Sequence, residues 1–318
     1  MKYSSLFIGI FSVFISMQGL AQTNTVITTT VLDTISHWKN KNTVGFDLTE
    51  NAFSNWNAGG ESSISGLLKG NFSRIYIKDN EKWSTELLIR YGVNKQDRLV
   101  VKKTDDSFKF NSTYGYRNDT LSNWYHTVEF DFNTQFTDGY NYPNTEIPIS
   151  KPLAPAYIFF GVGAEYANKE KKFNCYFSPL TLKNTLVLDQ NLANQGAFGV
   201  QKAIYDASGN LIAEGKKTKT ELGILISNHL KKEVFKNVIF ENRLSLFTDY
   251  FNNFGNIDID WLAQFDLVVN QYVKANIGFH MIYDDDIKAK KQIDGQQVEV
   301  GPKIQLKQML GVGLVYNF

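Results

Sequence analysis

The sequence predicts an all-β fold: an antiparallel transmembrane β-barrel of the outer-membrane type, with about twelve strands and both termini periplasmic. Three observations predict it. The chain opens like an exported protein. Its apolar residues then recur with a period of two over unusually long runs. The connections between those runs alternate between short and long.

The opening carries Lys2 as its only charge before Asp33, an apolar run from Leu6 to Met17, and small residues at Gly19 and Ala21. A charged start, a short apolar stretch and a small-x-small exit are the parts of a secretory signal. The run is about 12 residues, short of the roughly 20 that a spanning helix needs. Residues 1–21 are therefore expected to leave after Ala21. Residues 22–41, Thr-rich and holding His37 and Trp38, read as a polar periplasmic lead-in, and residues 42–318 as the barrel.

The final stretch shows the period most plainly. Ile304, Leu306, Leu310, Val312, Leu314, Tyr316 and Phe318 occupy even positions, while Gln305, Lys307, Gly311, Gly313 and Asn317 occupy odd ones. Alternation places the first set on one face of a strand and the second on the other. Leu314, Tyr316 and Phe318 make an alternating strand that ends on an aromatic residue, the pattern of a barrel-insertion signal. Similar runs of about 12 to 16 residues recur upstream, as from Ile257 to Asn270 and from Trp124 to Phe136. Soluble strands average five or six residues, whereas a tilted membrane strand needs roughly 9–11.

Strands are expected to start near Asn42, Ser62, Lys82, Ser107, Asn123, Ala156, Lys172, Thr218, Asn237, Asn256, Val273 and Lys303. Short turns fall at Lys78–Glu81, Asn118–Ser122, Asn168–Lys171, Leu230–Lys236 and Asn270–Tyr272. Long loops fall at Lys95–Asp106, Asp138–Pro155, Asp189–Lys217 and Asp284–Pro302, with Asn252–Gly255 a short exception. Such alternation suits a barrel with short turns on one side and long loops on the other. Closure follows from lipid itself, which offers no partner to an unpaired sheet edge.

Parity assigns the two faces. Trp83, Tyr91, Trp124, Tyr166, Trp261, Tyr283 and Tyr316 point outward near strand ends, as interfacial aromatics do. Glu86, Arg90, Lys109, Arg117, Glu129, Asp131, Glu165, Glu221, Glu241, Arg243, Asp266, Lys274, His280 and Lys307 point into the lumen, together with Lys69, Asp249 and His229. A single sign would argue for an ion-selective pore. Mixed signs argue for paired side chains across a narrow or occupied lumen.

The formal net charge of +1 gives no field for nucleic acid, and the single Cys175 excludes an internal disulfide. No cofactor is indicated. Asp284, Asp285 and Asp286 offer hard oxygens, but without the i, i+2, i+4 spacing of a calcium loop, so a solvated loop is expected. Gly59-Gly60 and Asp206–Asn210 read as turns. His126 and Ser112 share the outward face and are residue types that outer-membrane phospholipases use. Parity alone does not bring them together, and no catalytic residue is assigned.

The segment Asn55-Trp56-Asn57-Ala58-Gly59-Gly60-Glu61-Ser62-Ser63 resembles a Bacteroidetes-type outer-membrane family known as domain of unknown function 3078. Phe177-Ser178-Pro179-Leu180-Thr181-Leu182-Lys183 and Ala197-Phe198-Gly199 resemble further segments of it. The resemblance implies a barrel and brings no reaction. Pro179 cannot donate to a strand ladder, so a bulge or rim feature is expected there. The reading that follows is a barrel without evident enzymatic activity: a narrow channel or solute-uptake protein, an accessory subunit of an outer-membrane assembly, or thirdly a lipid-active enzyme. Expected partners are outer-membrane lipid, the barrel-insertion machinery and other outer-membrane proteins.

Overall fold

A computed structural model describes residues 36–51, 62–97, 99–168, 170–252, 254–293 and 296–318. The signal sequence, its cleavage after Ala21 and the Gly59-Gly60 turn lie outside the described residues. Twelve antiparallel strands close into a barrel. They are β1 (Trp38–Asn51), β2 (Ser63–Lys78), β3 (Glu81–Gln96), β4 (Lys102–Tyr116), β5 (Trp124–Thr134), β8 (Ala156–Asn168), β9 (Phe173–Leu186), β12 (Thr218–Phe235), β13 (Val238–Asp249), β14 (Asp258–Val268), β15 (Val273–Tyr283) and β18 (Gln305–Asn317). Three short hairpins stand apart from the barrel sheet. They are β6 (Gly139–Tyr140) with β7 (Pro148–Ser150), β10 (Ile204–Tyr205) with β11 (Leu211–Ala213), and β16 (Lys288–Ile293) with β17 (Gln296–Pro302). Each lies in a connection predicted to be long. Among the described residues no helix is long and apolar enough to cross a membrane.

The strand count is the predicted one, and most boundaries differ by a residue or two. β1 begins at Trp38, so residues 38–41 pair with β2 instead of leading in. The Leu230–Lys236 turn is shorter than expected, because β12 runs on to Phe235 and Asn237 makes the reversal at φ 64°. The Lys95–Asp106 loop is shorter too, since β4 begins at Lys102.

Large apolar side chains stand exposed along the strands, the inverse of a soluble sheet. Phe130, Phe160, Phe177, Ile226, Phe265, Ile277, Leu310 and Val312 all stand out from the wall. Aromatic residues cluster at the two ends. Trp38 packs on Tyr76 and Trp83, Trp124 on Tyr166 and Tyr316 on Phe318 at the turn end. Phe108 meets Phe132 and Phe136, and Tyr250 stacks on Phe254, towards the loop end. Two such bands bounding an apolar belt are the outward anatomy of a membrane barrel.

Strand β9 holds one extra residue. Its register jumps against both neighbours, between Leu180 and Phe177 on the β8 side and between Thr181 and Ser178 on the β12 side. Tyr176 and Ser178 therefore face inward at even positions, whereas Thr181, Lys183 and Thr185 face inward at odd ones. This is the bulge that Pro179 predicts, and it sits in mid-wall instead of at the rim. One inserted residue exchanges the faces of everything beyond it.

The barrel closes where β1 meets β18. That seam has five register pairs, from Thr43–Asn317 to Asp47–Gly313, against fourteen between β1 and β2. Asp47 reaches inward across the seam, accepting from Lys69 on β2 (2.6 Å) and from Asn276 on β15 (3.3 Å). It passes over β18 at Gly311 and Gly313, where a β-carbon would crowd its carboxylate.

Candidate functional site: the charged lumen

The closed wall turns a row of charges on each strand toward those on strands far away in the ring. Arg243 on β13 donates to both oxygens of Glu86 on β3, at 2.7 and 3.0 Å, and to Glu241 at 2.8 Å. Strands β3 and β13 stand half-way round the twelve-strand ring from one another. Lys109 on β4 reaches Asp260 on β14 at 3.1 Å, a second pair half-way round. Opposing walls are thus within the reach of two side chains. His280 Nε2 lies 2.6 Å from Asp260, His229 Nε2 lies 3.2 Å from Glu241, and Lys231 also pairs with Glu241.

Shorter spans fill the remaining section. Lys82 on β3 donates to Glu165 on β8 at 2.6 Å. Asp105 on β4 takes Arg90 at 2.7 Å and Lys307 from β18 at 2.8 Å. Arg117 stacks over the Tyr125 ring at the turn end and donates to the backbone of Ser122. Gln264 donates to Asp266, and Lys274 stands opposite Gly313 of β18. Tyr176, Leu225 and Phe247, with Phe159 against them, form an apolar patch on the inward faces of β8, β9, β12 and β13.

At the loop end Lys183 is the hub. Its ammonium lies 2.6 Å from Asp258, 3.5 Å from Asp284 and 3.5 Å from Glu221, over the Phe247 ring. Lys219 pairs with Glu221 (3.0 Å) and with Asp286. The connection from Val187 to Lys217 folds over this cluster. It carries a short helix, α1 (Gln190–Asn194), whose N-cap Asp189 accepts from Leu192 N–H and from Lys151 at 2.6 Å. The ammonium and the backbone N–H groups hold the Asp189 carboxyl below its usual range. Ala154, Val187, Leu192, Ala193 and Val200 form a small buried core beneath it. Gly199 abuts Asp286, so the loop reaches from the β9–β12 side to the β15 side.

These contacts involve several residues that the parity reading does not name. Asp47, Lys82, Lys183, Lys219, Asp258, Asp260 and Asp284 are all lumenal partners. Lys183 escapes simple alternation because the bulge shifts its parity. Asp258, Asp284 and Asp285 bring one carboxylate oxygen each within 4.8 Å of one another, closer than the sequence suggested. Lys183 already serves two of these groups, and Asn256 donates to Asp285. His126 and Ser112 do not meet. Ser112 pairs with Phe130 and His126 with Tyr116, four residues apart, or about 13 Å along a strand. Ser112 instead accepts from Trp83 Nε1 at 3.0 Å. Leu314, Tyr316 and Phe318 all stand outward on the last strand. Cys175 is a free thiol on β9 between Tyr166 and Asn228.

Residues 48–140 match the model of a family described as "Protein of unknown function (DUF3078)", the family that the Asn55–Ser63 segment resembles. No curated protein matches the chain. Among solved structures, the translocator domain of the autotransporter NalP from Neisseria meningitidis aligns over 99% of this chain and 95% of that one, with TM-score 0.36 and 9% identity. An outer membrane channel from Pseudomonas putida F1 aligns over 88% and 95%, with TM-score 0.38 and 9% identity. The NanC porin aligns over 86% and 98%, with TM-score 0.36 and 9% identity.

Proposed function

From a closed barrel with an apolar outer face, we propose an integral outer-membrane protein whose lumen is a narrow conduit for small solutes or ions, with its termini and short turns in the periplasm. The observation that carries this reading is the pair of half-ring salt bridges, Arg243–Glu86 and Lys109–Asp260, which constrict a lumen lined by charges of both signs. Strand number alone would leave room for more than side chains in a barrel between the small filled type and the wide porins. The bridges divide that room. The barrel acts without catalysis, and its signal peptide is removed after Ala21.

Planar-bilayer recording of the purified protein tests the reading. A small conductance is expected, increased in an Arg243→Ala/Lys109→Ala variant. A silent barrel in both forms, together with a stable protein partner on purification from its own membrane, would favour the accessory-subunit reading. The covered loop end, with its buried Val187–Val200 core, is the observation on that side. Lipid hydrolysis or acyl transfer by the unaltered protein would replace both.

A further inference from the structure

Strand β4 carries a bulge of its own near the loop end. Gly92 pairs with Asp105 but Val93 with Lys103, so Thr104 has no partner on β3. The extra residue brings Lys103 and Asp106 to the same face. That face is the outward one, because Asp106 pairs with Tyr91 and Tyr91 with the exposed Leu68. The two side chains form an ion pair at 2.8 Å on the outside of the wall. Asp106 lies two residues beyond Phe108, about 7 Å past the loop-end aromatic band. Charge on an outward face is tolerated near the interface and not at the bilayer centre. This stretch of wall therefore lies at headgroup depth.

The chain that leaves β5 is tied to this stretch. Asp106 accepts from the N–H groups of Phe136 and Thr137, at 2.8 and 3.0 Å. Lys103 donates its ammonium to the Thr137 carbonyl at 2.9 Å and its backbone N–H to the Tyr142 hydroxyl at 2.9 Å. Wall and segment enclose a pocket of about 290 Å³, whose lining includes Tyr91, Val93, Lys103, Asp138, Tyr140 and Tyr142. Tyr140 and Tyr142 make adjoining sides of it, with ring centroids 6.3 Å apart and planes at 59°. Among the described residues, the Tyr91 and Tyr140 hydroxyls and the Asp138 carboxylate make no hydrogen bond within the protein. Lys103 spends two of its three ammonium donors, on Asp106 and Thr137.

We propose that this pocket on the outer wall holds one sugar ring. A pyranose presents an apolar C–H face and a rim of hydroxyls. Tyrosine offers the matching pair, an aromatic face and a hydroxyl. The volume sits at the lower end for small-molecule sites, which suits a single ring. Charge disfavours the alternatives. Asp138 repels a phosphate, and the Lys103 ammonium repels a free amine. A neutral polyol instead meets a spare donor on Lys103, an acceptor on Asp138 and tyrosine hydroxyls that serve as either. A ring at headgroup depth comes from one of two sources, the head of an outer-leaflet glycolipid or a free saccharide, and the recognition chemistry is shared. The pocket lies outside the lumen, so it stands whether or not the lumen conducts.

Saturation-transfer NMR of the full-length protein tests this, with the protein folded in the sugar-free detergent lauryldimethylamine oxide. The probes are the methyl glycosides of glucose, galactose, mannose and N-acetylglucosamine. At least one is expected to bind, with the strongest transfer at its ring C–H protons. Tyr140→Ala is expected to weaken binding at least tenfold and Asp138→Asn several-fold, whereas Tyr140→Trp keeps an aromatic side and should retain it. Tyr250→Ala, in a different loop, should leave binding unchanged. Heat-modifiable gel mobility reports the folding of each variant. Lipopolysaccharide supplied in nanodiscs separates the two sources: a displaced glycoside identifies a glycolipid head, a retained one a free saccharide. No transfer to any of the glycosides, together with no retention of lipopolysaccharide by the folded protein, overturns the proposal. So does glycoside binding that Tyr140→Ala leaves intact. Binding of O-phosphoethanolamine that Tyr140→Ala abolishes overturns it in favour of a charged headgroup.

Discussion

Replacing Arg243 with Met should reveal how much the half-ring bridge holds. The substitution keeps an unbranched stem of similar bulk and removes three hydrogen bonds, two to Glu86 and one to Glu241. Breaking one partner of a fully buried pair costs about 3–5 kcal/mol. Here the two side chains retain 27% and 22% of their exposure. Glu86 keeps Asn71, and Glu241 keeps His229 and Lys231. Those partners and the residual water lower the expected cost to about 2–3 kcal/mol. Glu86→Gln alone should cost somewhat less, because Arg243 retains Glu241. The double variant Glu86→Gln/Arg243→Met removes both charges and should recover most of the loss, giving a coupling of about 2 kcal/mol. Urea unfolding in detergent micelles, followed by tryptophan fluorescence, measures all four proteins. Strictly additive losses, or an Arg243→Met variant within about 0.5 kcal/mol of the parent, would show that the bridge is not a structural tie.

Three further outcomes follow from named contacts. Leu310 is 80% exposed in the middle of β18, so Leu310→Arg should destabilise the barrel in lipid vesicles by about 2–4 kcal/mol on urea titration, whereas Lys307→Arg on the inward face should be near neutral. Gly223→Ala would drive a methyl into the Thr248 carbonyl; loss of the folded, heat-modifiable gel form is expected, while Ala164→Gly, at an outward position, should keep it. Lowering the pH should loosen α1. Asp189 has a depressed carboxyl pKa, so its contribution is present above the unfolded value of about 3.9 and is lost as pH falls through the lower folded value. Amide exchange at Leu192 and Ala193, corrected for intrinsic rates, should therefore rise below about pH 4, and Asp189→Asn should abolish that dependence.

Much of this architecture is legible in alternation alone. The twelve strands, the apolar outer face and the inward direction of Glu86, Lys109, Glu129 and Arg243 all follow from a two-residue period and its flanking turns. What alternation cannot supply is partnership. Glu86 and Arg243 are 157 positions apart, and nothing local says that they meet. Only the closed ring and the register of every intervening hairpin decide that. The period also fails where the chain inserts a residue. Pro179 marks the bulge, but the exchange of faces that sends Lys183 inward depends on Ser178, Pro179 and Leu180 together. The start of β1 at Trp38 is hidden for another reason. The run Trp38-Lys39-Asn40-Lys41 is too polar to read as strand, and it pairs because Ser73–Tyr76 extends beneath it.

The clasp at Asp47 bears on how such a tube could be put together. Thr43 and Asn317 pair across 274 positions, so loop-closure entropy disfavours this junction until the hairpins between them have formed. It is also short, and a short junction tolerates misalignment. A slip of β18 by one residue would turn Val312 and Leu314 inward in place of Gly311 and Gly313. Asp47 would then meet branched side chains instead of a clear path to Asn276. The two glycines and one carboxylate thereby act as a proofreading device. They let the last joint hold in one alignment and leave its nearest competitor with a stranded charge.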